Sequence, residues 1–312
     1  MKEKIAFLFP GQGSQAVGMG KELAALYPVA RQTFDEADSA LGHKLSQLCF
    51  EGPEEKLRLT EITQPAILTM SVAAQRVLRE KGVSPKFVAG HSLGEYSAHV
   101  AAGSLDFADA VRTVRNRGKY MQEAVPVGQG AMAAVLGMPL AEVERICKQA
   151  AQDDICSPAN INSPEQIVIS GSKPAVERAA ELAKAGGAKR AIMLPVSAPF
   201  HCALMQPAQD RLGKDLQDLT FHRLQLPLVK NVDGELTQDS EVARQALVSQ
   251  VTGAVQWVKS MQTLIAQGAE LFIEVGPGKV LCGLLRQIDR SKQFANVEDE
   301  GSLARALAAI SS

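Results

Sequence analysis

The chain has 312 residues, which is long for one core, so the sequence predicts one large domain and a smaller one. Hydrophobic residues make up 46% and charged residues 21% of the chain, proportions that are ordinary for a soluble globular enzyme. The net charge of −1 gives no reason to expect nucleic acid or an anionic membrane as a partner.

Apolar runs and cysteines indicate the compartment. The first apolar run, residues 5–9, is too short for the hydrophobic region of a signal peptide, and no stretch approaches the ~20 apolar residues of a membrane helix. The cysteines are scattered, odd in number and without a Cys-x-x-Cys pair, which disfavours zinc ribbons and disulfide frameworks. We therefore expect a cytoplasmic protein without a metal or other cofactor.

Short apolar runs alternate with helical patterns along much of the chain. Predicted strands cover residues 5–9, 87–90, 192–196, 228–229 and 271–275. Predicted helices cover residues 21–41, 64–81, 93–102 and 107–121. This alternation is typical of an α/β layer architecture with a largely parallel sheet.

The middle of the chain has a different order of elements. The pattern predicts strand 131–136, helix 139–150, hairpin strands 155–161 and 166–170, helix 174–185 and strand 189–195. The order β-α-β-β-α-β is that of a ferredoxin-like unit. We therefore predict an inserted subdomain over residues 127–197 and a discontinuous larger domain made of residues 1–126 and 198–312.

The segment Gly90-His91-Ser92-Leu93-Gly94 lies between a predicted strand and a predicted helix. In that context Gly-x-Ser-x-Gly is typical of a nucleophile elbow, a strained turn that presents the serine hydroxyl above a helix N-terminus. Backbone N–H groups at that position can stabilise an oxyanion. The alternative is an ordinary strand-to-helix loop, but the context makes Ser92 the candidate nucleophile.

A serine nucleophile needs a base, and His201 is the best-placed histidine, because it follows a strand and a proline-marked turn. The other histidines are His43, His91, His99 and His222. His99 lies about 10 Å along the same helix and cannot reach Ser92. His91 is adjacent in the elbow and is expected to point elsewhere, while the remaining two lie among polar neighbours. The alternative role for His201 is structural.

No acidic residue stands out as the third member of a triad. Residues 231–234 follow a predicted strand, and a backbone carbonyl there or the Asp233 side chain could orient the imidazole. The loop of residues 11–16 satisfies Gly-x-Gly-x-x-Ala, a dinucleotide fingerprint. The required acid, Asp35, falls in a predicted helix instead of ending a strand, so we expect this loop to donate to an oxyanion.

Arginine recognition of a carboxylate is a further possibility. In the predicted helix 107–121, Arg115 and Arg117 border the apolar stripe on opposite sides. An arginine beside a buried stripe needs a carboxylate partner and suits a bidentate pair. Spacing does not choose between the two arginines, and a side chain packed along the surface with its head in water is the common alternative.

Several motifs in register resemble those of the malonyl-CoA:acyl carrier protein transacylases. They are Phe9-Pro10-Gly11-Gln12-Gly13-Ser14-Gln15, Gly90-His91-Ser92-Leu93-Gly94-Glu95, Arg117-Gly118-Lys119-Tyr120-Met121, Asn160-x-Asn162-Ser163-Pro164, Phe200-His201, Asn231-Val232-Asp233-Gly234, Gln250 and Glu274-Val275-Gly276-Pro277-Gly278. They run in order from residue 5 to about 290, which is essentially the whole chain. The resemblance implies an α/β-hydrolase-like core with a ferredoxin-like insert.

The resemblance also implies roles for individual residues in a ping-pong acyl transfer. Ser92 would form a malonyl ester with His201 as general base, and the backbone carbonyl of Asn231 would orient that histidine. The backbone N–H groups of Gln12 and Leu93 would form the oxyanion hole.

The substrate contacts follow from the same resemblance. Arg117 would bind the malonate carboxylate, which resolves the choice that spacing left open. Gln250 would help to position the nucleophile or substrate, and Met121 would contact the substrate. Phe200, a bulky ring before the base, favours malonyl over methylmalonyl. The predicted partners are malonyl-CoA and acyl carrier protein, without nucleic acid or membrane, and the predicted state is a monomer.

Carrier proteins are acidic, so we expect basic residues near the mouth of the cleft. The candidates are Lys189 and Arg190 on the small domain and Arg286, Arg290 and Lys292 on the large one. Scattered solubilising charge is the alternative for each. The predicted pathway is fatty acid synthesis, with a polyketide acyltransferase, a malonate decarboxylase subunit or a serine thioesterase or hydrolase as alternatives.

Overall fold

A computed structural model describes residues 4–311 of the chain. Its strands are β1 (Ile5–Phe9), β2 (Phe87–Gly90), β3 (Gly130–Leu136), β4 (Cys156–Ser163), β5 (Gln166–Ser172), β6 (Arg190–Met193), β7 (Leu228–Val229), β8 (Leu236–Thr237), β9 (Leu271–Val275) and β10 (Gln293–Val297). Its helices are α1 (Lys21–Leu26), α2 (Pro28–Leu41), α3 (Leu45–Glu51), α4 (Glu54–Leu57), α5 (Thr60–Glu80), α6 (Gly94–Ala101), α7 (Phe107–Glu123), α8 (Leu140–Ala151), α9 (Lys173–Ala185), α10 (Gln206–Gln217), α11 (Ser240–Ser249), α12 (Trp257–Ala266), α13 (Val280–Ile288) and α14 (Glu300–Ser311). A short 3-10 helix, Ala203–Met205, precedes α10.

The larger sheet has six strands in the order β10-β9-β1-β2-β7-β8. Every pair is parallel except the β7–β8 pair at one edge. Strand β1 is buried along its whole length, which explains its continuous apolar sequence. Ile5, Phe7 and Phe9 face one core cluster, while Ala6 and Leu8 face a second cluster on the other side of the sheet. The predicted α/β architecture with a largely parallel sheet is confirmed.

The smaller sheet has four antiparallel strands in the order β4-β5-β3-β6. Its strands all come from one continuous stretch of the chain. Most of its apolar core is a separate cluster that it shares with α8 and α9. A bridge between Asn160 and Val255 connects β4 to the chain that follows α11. The second sheet therefore packs beside the first with a largely independent core.

Predicted and observed elements agree most closely for the buried strands. The predicted helix 21–41 is instead two helices, because Pro28 begins α2 and Tyr27 before it has an extended backbone. Strand β10 was not predicted, because it forms an edge strand with mostly exposed or half-exposed side chains and no continuous apolar run. Within residues 4–311, no helix combines the length and the apolar character needed to cross a membrane.

Candidate active site

Ser92 lies in the turn between β2 and α6, at the carboxyl end of a parallel strand. Its backbone has φ of 51°, a left-handed conformation that non-glycine residues rarely adopt. The backbone N–H of His91 donates to the carbonyl of Phe9 over 3.0 Å, which fastens the turn to the end of β1. A Cβ on Gly94 would lie 2.0 Å from the same carbonyl oxygen, so glycine permits this close approach. These features are those expected of a nucleophile elbow.

His201 contacts the Ser92 hydroxyl directly. Its Nε2 lies 2.7 Å from Oγ of Ser92, and the residue is only 4% exposed. Its Nδ1 lies 2.8 Å from the carbonyl oxygen of Gln250 and 3.2 Å from that of Gly253. Carbonyl oxygens only accept hydrogen bonds, so Nδ1 carries the proton and Nε2 is left free to accept the serine proton.

Asn231 is close to the elbow but does not hold His201, contrary to the prediction. Its carbonyl oxygen accepts from the backbone N–H of Gln256 over 2.8 Å, whereas the carbonyls that contact the imidazole are those of Gln250 and Gly253. Its side chain accepts from the backbone N–H of Ser92 and donates to the carbonyl of Gly90, both over 2.7 Å. Asn231 therefore supports the backbone of the nucleophile, and the imidazole is oriented by the turn that follows α11.

The alternative orienting group, Asp233, is engaged elsewhere. Its carboxylate accepts from the Lys230 ammonium over 2.7 Å and from the backbone N–H of Glu235 over 3.0 Å. No carboxylate among residues 4–311 contacts the His201 ring. The pair of Ser92 and His201 is thus a dyad completed by main-chain carbonyls.

Arg117, on α7, also contacts the Ser92 hydroxyl. Its Nη2 lies 3.1 Å from Oγ of Ser92 and 2.9 Å from Oε1 of Gln250, and its Nη1 donates to Oε1 of Gln64 over 2.7 Å. The residue is 2% exposed, whereas Arg115 on the same helix is half-buried. The structure therefore distinguishes the two arginines that spacing left equivalent.

Gln64 and Glu95 belong to this cluster and were not predicted as site residues. Gln64 comes from α5 and only its contact with Arg117 reveals it. Glu95 is the acidic residue that ends the elbow motif, and its Oε2 accepts from Nε2 of Gln250 over 2.7 Å. The sequence signal for Glu95 was its place at the end of the elbow motif, since an acidic residue in the first turn of a helix is common and by itself indicates no buried site. No sequence signal pointed to Gln64.

Burial and positive charge determine the protonation of His201. Removal from water and the nearby Arg117 lower its pKa to about 3, while its contacts with the Gln250 and Gly253 carbonyls act in the opposite direction. The ring is therefore neutral near pH 7 and able to accept a proton. Burial also lowers the pKa of Arg117, although a guanidinium remains charged in proteins.

A cavity of about 1010 Å³ opens onto the dyad. Gln12, Leu93, Met121 and Phe200 all line it beside Ser92. Among residues 4–311, neither the backbone N–H of Gln12 nor that of Leu93 has a hydrogen-bond acceptor. Both groups are therefore available to a ligand in the cavity.

The loop after β1 can approach the elbow because Gly11 lacks a side chain. A Cβ on Gly11 would lie 2.5 Å from the carbonyl oxygen of His91. Asp35 lies within helix α2, as expected, and not at the end of a second strand. The structure thus places Gln12 beside the nucleophile and gives no support to a dinucleotide site.

In the described part of the chain, no histidine other than His201 contacts the Ser92 hydroxyl, although His91 precedes it in the elbow and lines the same cavity. Nε2 of His91 lies 2.8 Å from Oδ1 of Asn162 in β4, so its ring contacts the smaller sheet. His99 is buried with Nδ1 3.3 Å from the Ser104 hydroxyl. Within residues 4–311, no group of three or more His, Cys, Asp or Glu side chains is arranged to hold a metal ion.

The basic residues predicted to meet a carrier protein do not line the cavity. Lys189 forms an exposed ion pair with Glu165 over 2.7 Å, and Arg190 and Arg286 are exposed elsewhere on the surface. Two other cations, Arg58 and Lys119, do lie in the cavity wall.

Comparison with known proteins agrees with this geometry. The family model of an acyl transferase domain matches residues 6–307. The chain belongs to the acyl transferase family. The malonyl CoA-acyl carrier protein transacylase of Escherichia coli strain K12 is 52% identical over 305 residues, which cover 97% of this chain and 99% of that protein.

Solved structures extend the comparison to the whole fold of this acyl transferase. The malonyl CoA-acyl carrier protein transacylase of Coxiella burnetii superimposes with a TM-score of 0.97 at 44% identity and covers 99% of this chain and 98% of its own. A malonyl-transacylase in complex with a type II PKS acyl-carrier protein gives a TM-score of 0.96 at 49% identity, with 98% and 100% covered. The resemblance stated from the motifs is confirmed.

Proposed function

We propose that this chain transfers the malonyl group from malonyl-CoA to the phosphopantetheine thiol of acyl carrier protein and so supplies fatty acid synthesis. One observation carries the proposal: Arg117 is buried with Nη2 only 3.1 Å from the Ser92 hydroxyl. A guanidinium in that position fits an acyl group that ends in a carboxylate, because the two groups form charge-assisted hydrogen bonds. The relatives named above carry the same activity in their names.

The first half of the reaction would form a malonyl-serine ester. Oγ of Ser92 attacks the thioester carbonyl while Nε2 of His201, 2.7 Å away, takes its proton. The negative charge that develops on the carbonyl oxygen is stabilised by the backbone N–H groups of Gln12 and Leu93. The carbon–sulfur bond then breaks, and His201 returns the proton to the departing thiolate of coenzyme A.

The second half would repeat these steps in the reverse direction. The thiol of the carrier's phosphopantetheine arm gives its proton to His201 and attacks the ester carbonyl. The bond from the acyl carbon to Ser92 breaks, and the serine oxygen regains the proton. A dyad held by main-chain carbonyls suffices for both halves, because the imidazole alternates between base and acid.

Two apolar residues would set the shape of the acyl pocket. Phe200 precedes the base and lines the cavity, and Met121 follows Arg117 by one turn of α7 and is 1% exposed. A bulky ring beside the reacting carbon leaves little room for an α-methyl group. We infer a preference for malonyl over methylmalonyl.

We also propose a finer description of the fold. Residues 1–126 and 198–312 would form one α/β-hydrolase-like domain, and residues 127–197 an inserted ferredoxin-like subdomain. The strand order β4-β5-β3-β6 and the element order β-α-β-β-α-β of the smaller sheet support this description.

The carrier protein would dock at the mouth of the cavity. Lys189, Arg190 and Arg286 remain the predicted contacts, and Arg58 and Lys119 of the cavity wall are added to them. A polyketide carrier is the second candidate acceptor, because one structural relative is complexed with a type II PKS acyl-carrier protein. The monomeric state stays a prediction.

Acyl trapping tests the proposal. After incubation with radiolabelled malonyl-CoA, we expect label on the peptide that contains Ser92 and its transfer to added holo-carrier protein. Ser92→Ala should lower the transfer rate on the order of 10⁴-fold or more, because the nucleophile is lost. Ser197→Ala is the matched control, since that serine lines the same cavity without contacting His201. Release of free malonate as fast as transfer would indicate a hydrolase.

A further inference from the structure

Arg117 carries a buried positive charge whose hydrogen-bond partners are all neutral. Its guanidinium donates to the amide oxygens of Gln64 and Gln250 and to the Ser92 hydroxyl. Its central carbon also lies 5.6 Å from the centre of the neutral Tyr96 ring. A buried cation is costly unless a negative charge lies close by. The substrate carboxylate would supply that charge, but only while it is bound.

Glu95 lies one hydrogen bond beyond Gln250 and is completely buried. The amide of Gln250 faces both groups, with its Oε1 2.9 Å from Arg117 and its Nε2 2.7 Å from Oε2 of Glu95. The Glu95 carboxylate also accepts from the backbone N–H of Asn231 over 3.2 Å, while its Oε1 has no partner within residues 4–311. A chain of contacts therefore runs from a buried cation through an amide to a buried carboxyl.

We propose that Glu95 is a positioning residue that balances the charge of Arg117 while the cavity is empty and takes up a proton when an anionic acyl group binds. The proton comes from solvent and converts the Glu95 carboxylate to a neutral carboxylic acid. Two carboxylates and one guanidinium would otherwise leave a net negative charge in a buried space, and like charges that share a site do not both remain ionised. The inference rests on the proposed function.

The surroundings of Glu95 make this change possible near neutral pH. Burial raises its pKa to about 7, while hydrogen bonds from Gln250 and Asn231 and the charge of Arg117 act against the rise. Of the elements packed against α6, which are β1, β2, α5 and α7, only α7 presents a charge that acts on this carboxyl. Asp233, in the turn after β7, adds a small upward effect and is itself paired with Lys230.

The expected signature is a proton taken up on binding of malonyl-CoA but not of acetyl-CoA. With a pKa of about 7, Glu95 is roughly 90% ionised at pH 8, so full protonation on binding takes up roughly 0.9 proton. By the same linkage, the Kd for malonyl-CoA rises about fivefold from pH 7 to pH 8. Acetyl-CoA shares every titrating group of coenzyme A and is the matched ligand.

The experiment uses the full chain with Ser92→Ala, which binds malonyl-CoA without reacting. Titration calorimetry in buffers of different ionisation enthalpy gives the protons taken up for each ligand. Adding Glu95→Gln should abolish the extra proton and flatten the pH dependence of Kd. Glu61 also has a carboxylate in the cavity wall, but it does not belong to the chain of contacts from Arg117 through Gln250 to Glu95. Adding Glu61→Gln should therefore change neither the extra proton nor the pH dependence of Kd.

Two results would overturn the inference: equal proton uptake with both ligands, or an unchanged malonyl-specific uptake after Glu95→Gln. The comparison of malonyl-CoA with acetyl-CoA uses a chain that keeps Glu95, so it tests the inference even if the Glu95→Gln chain does not fold. This inference alone is contradicted if the Ser92→Ala chain binds malonyl-CoA without the extra proton while the unmodified chain is labelled at Ser92. Failure to bind malonyl-CoA contradicts the proposed function and this inference together.

Discussion

At the residue scale, Gln250 connects the polar groups of the site. Its backbone carbonyl accepts from His201, and its amide oxygen accepts from Arg117. Its amide nitrogen donates to the carbonyl of Ser92 over 3.0 Å and to Glu95. Gln250 thus forms hydrogen bonds with all three residues of the candidate site, namely His201, Arg117 and Ser92. Motif resemblance placed Gln250 in the site, but only the folded chain shows that its main chain, and not that of residue 231, orients the base.

The proposed selectivity for the malonyl group depends on Arg117. We expect Arg117→Ala to lower kcat/KM for malonyl-CoA by about 10²–10³-fold and to lower that for acetyl-CoA much less, because only malonyl loses a charge-assisted contact. Steady-state kinetics with both thioesters gives the ratio. Arg115→Ala is the matched control and should leave both values close to those of the unmodified chain. Equal losses on the two substrates after Arg117→Ala would remove its role in recognition.

At the element scale, the site is assembled where two neighbouring parallel strands end. Strands β1 and β2 are parallel neighbours, so the loop after β1 and the elbow after β2 both follow the carboxyl ends of these strands, on the same side of the sheet. The sequence indicated both turns from their glycines. The helix break at Pro28 shows the complementary limit, since the apolar periodicity of residues 21–41 continued across it. Apolar periodicity indicates which face of a helix is buried, but it does not indicate whether the helix is continuous.

Close packing of the elbow against β1 can be tested at Gly94. Gly94→Ala would place a Cβ 2.0 Å from the Phe9 carbonyl oxygen, and the elbow would have to move. We expect a loss of about 2 kcal/mol or more of unfolding free energy and a large loss of activity. Gly283→Ala in α13 meets no atom within 4 Å and should be neutral or stabilise the protein by up to about 1 kcal/mol. Urea unfolding measures both, and similar effects of the two changes would contradict this packing argument.

At the scale of the whole molecule, the cavity lies between the two sheets. Met132 and Asn160 from the smaller sheet line it together with Gln12 and Ser92 from the larger sheet. The bridge from β4 to Val255 and the contact between His91 and Asn162 connect the same two parts. Substrate size and access therefore depend on how the two sheets pack, which no local pattern encodes.

The stability of the whole molecule should fall in acid. Burial lowers the pKa of His99 to about 3, and burial and Arg117 lower that of His201 to a similar value. Below about pH 6.5 these two histidines are protonated in the unfolded chain but not in the folded chain. The unfolding free energy therefore falls as pH falls, by about 1.4 kcal/mol per pH unit for each histidine. The raised pKa of Glu95 acts in the opposite direction, since it costs stability as pH rises from about 4.5 to about 7.

Urea unfolding at several pH values between 7 and 5 checks this expectation. His99→Gln should reduce the loss of stability over that range by about 2 kcal/mol, because one histidine no longer contributes. His222→Gln, at an exposed position, should leave the pH dependence unchanged. The same pH dependence in His99→Gln and the unmodified chain would refute the contribution of His99.

Local features of the chain are enough to identify the buried strands, the elbow at Ser92 and the α/β class. Their signals are short-range, namely apolar runs, turn glycines and the alternation of strands with helices. The partners of each side chain depended on the tertiary structure, because residues far apart in sequence meet at the ends of different elements. The motif resemblance selected Arg117 over Arg115, but only tertiary packing shows its contact with Ser92 and brings Gln64 and Glu95 into the site. Packing also shows that the carbonyls that contact His201 belong to the turn after α11 and not to Asn231. Three of these hydrogen bonds join residues 49, 53 and 155 positions apart, and contacts over such separations leave no mark in a local pattern.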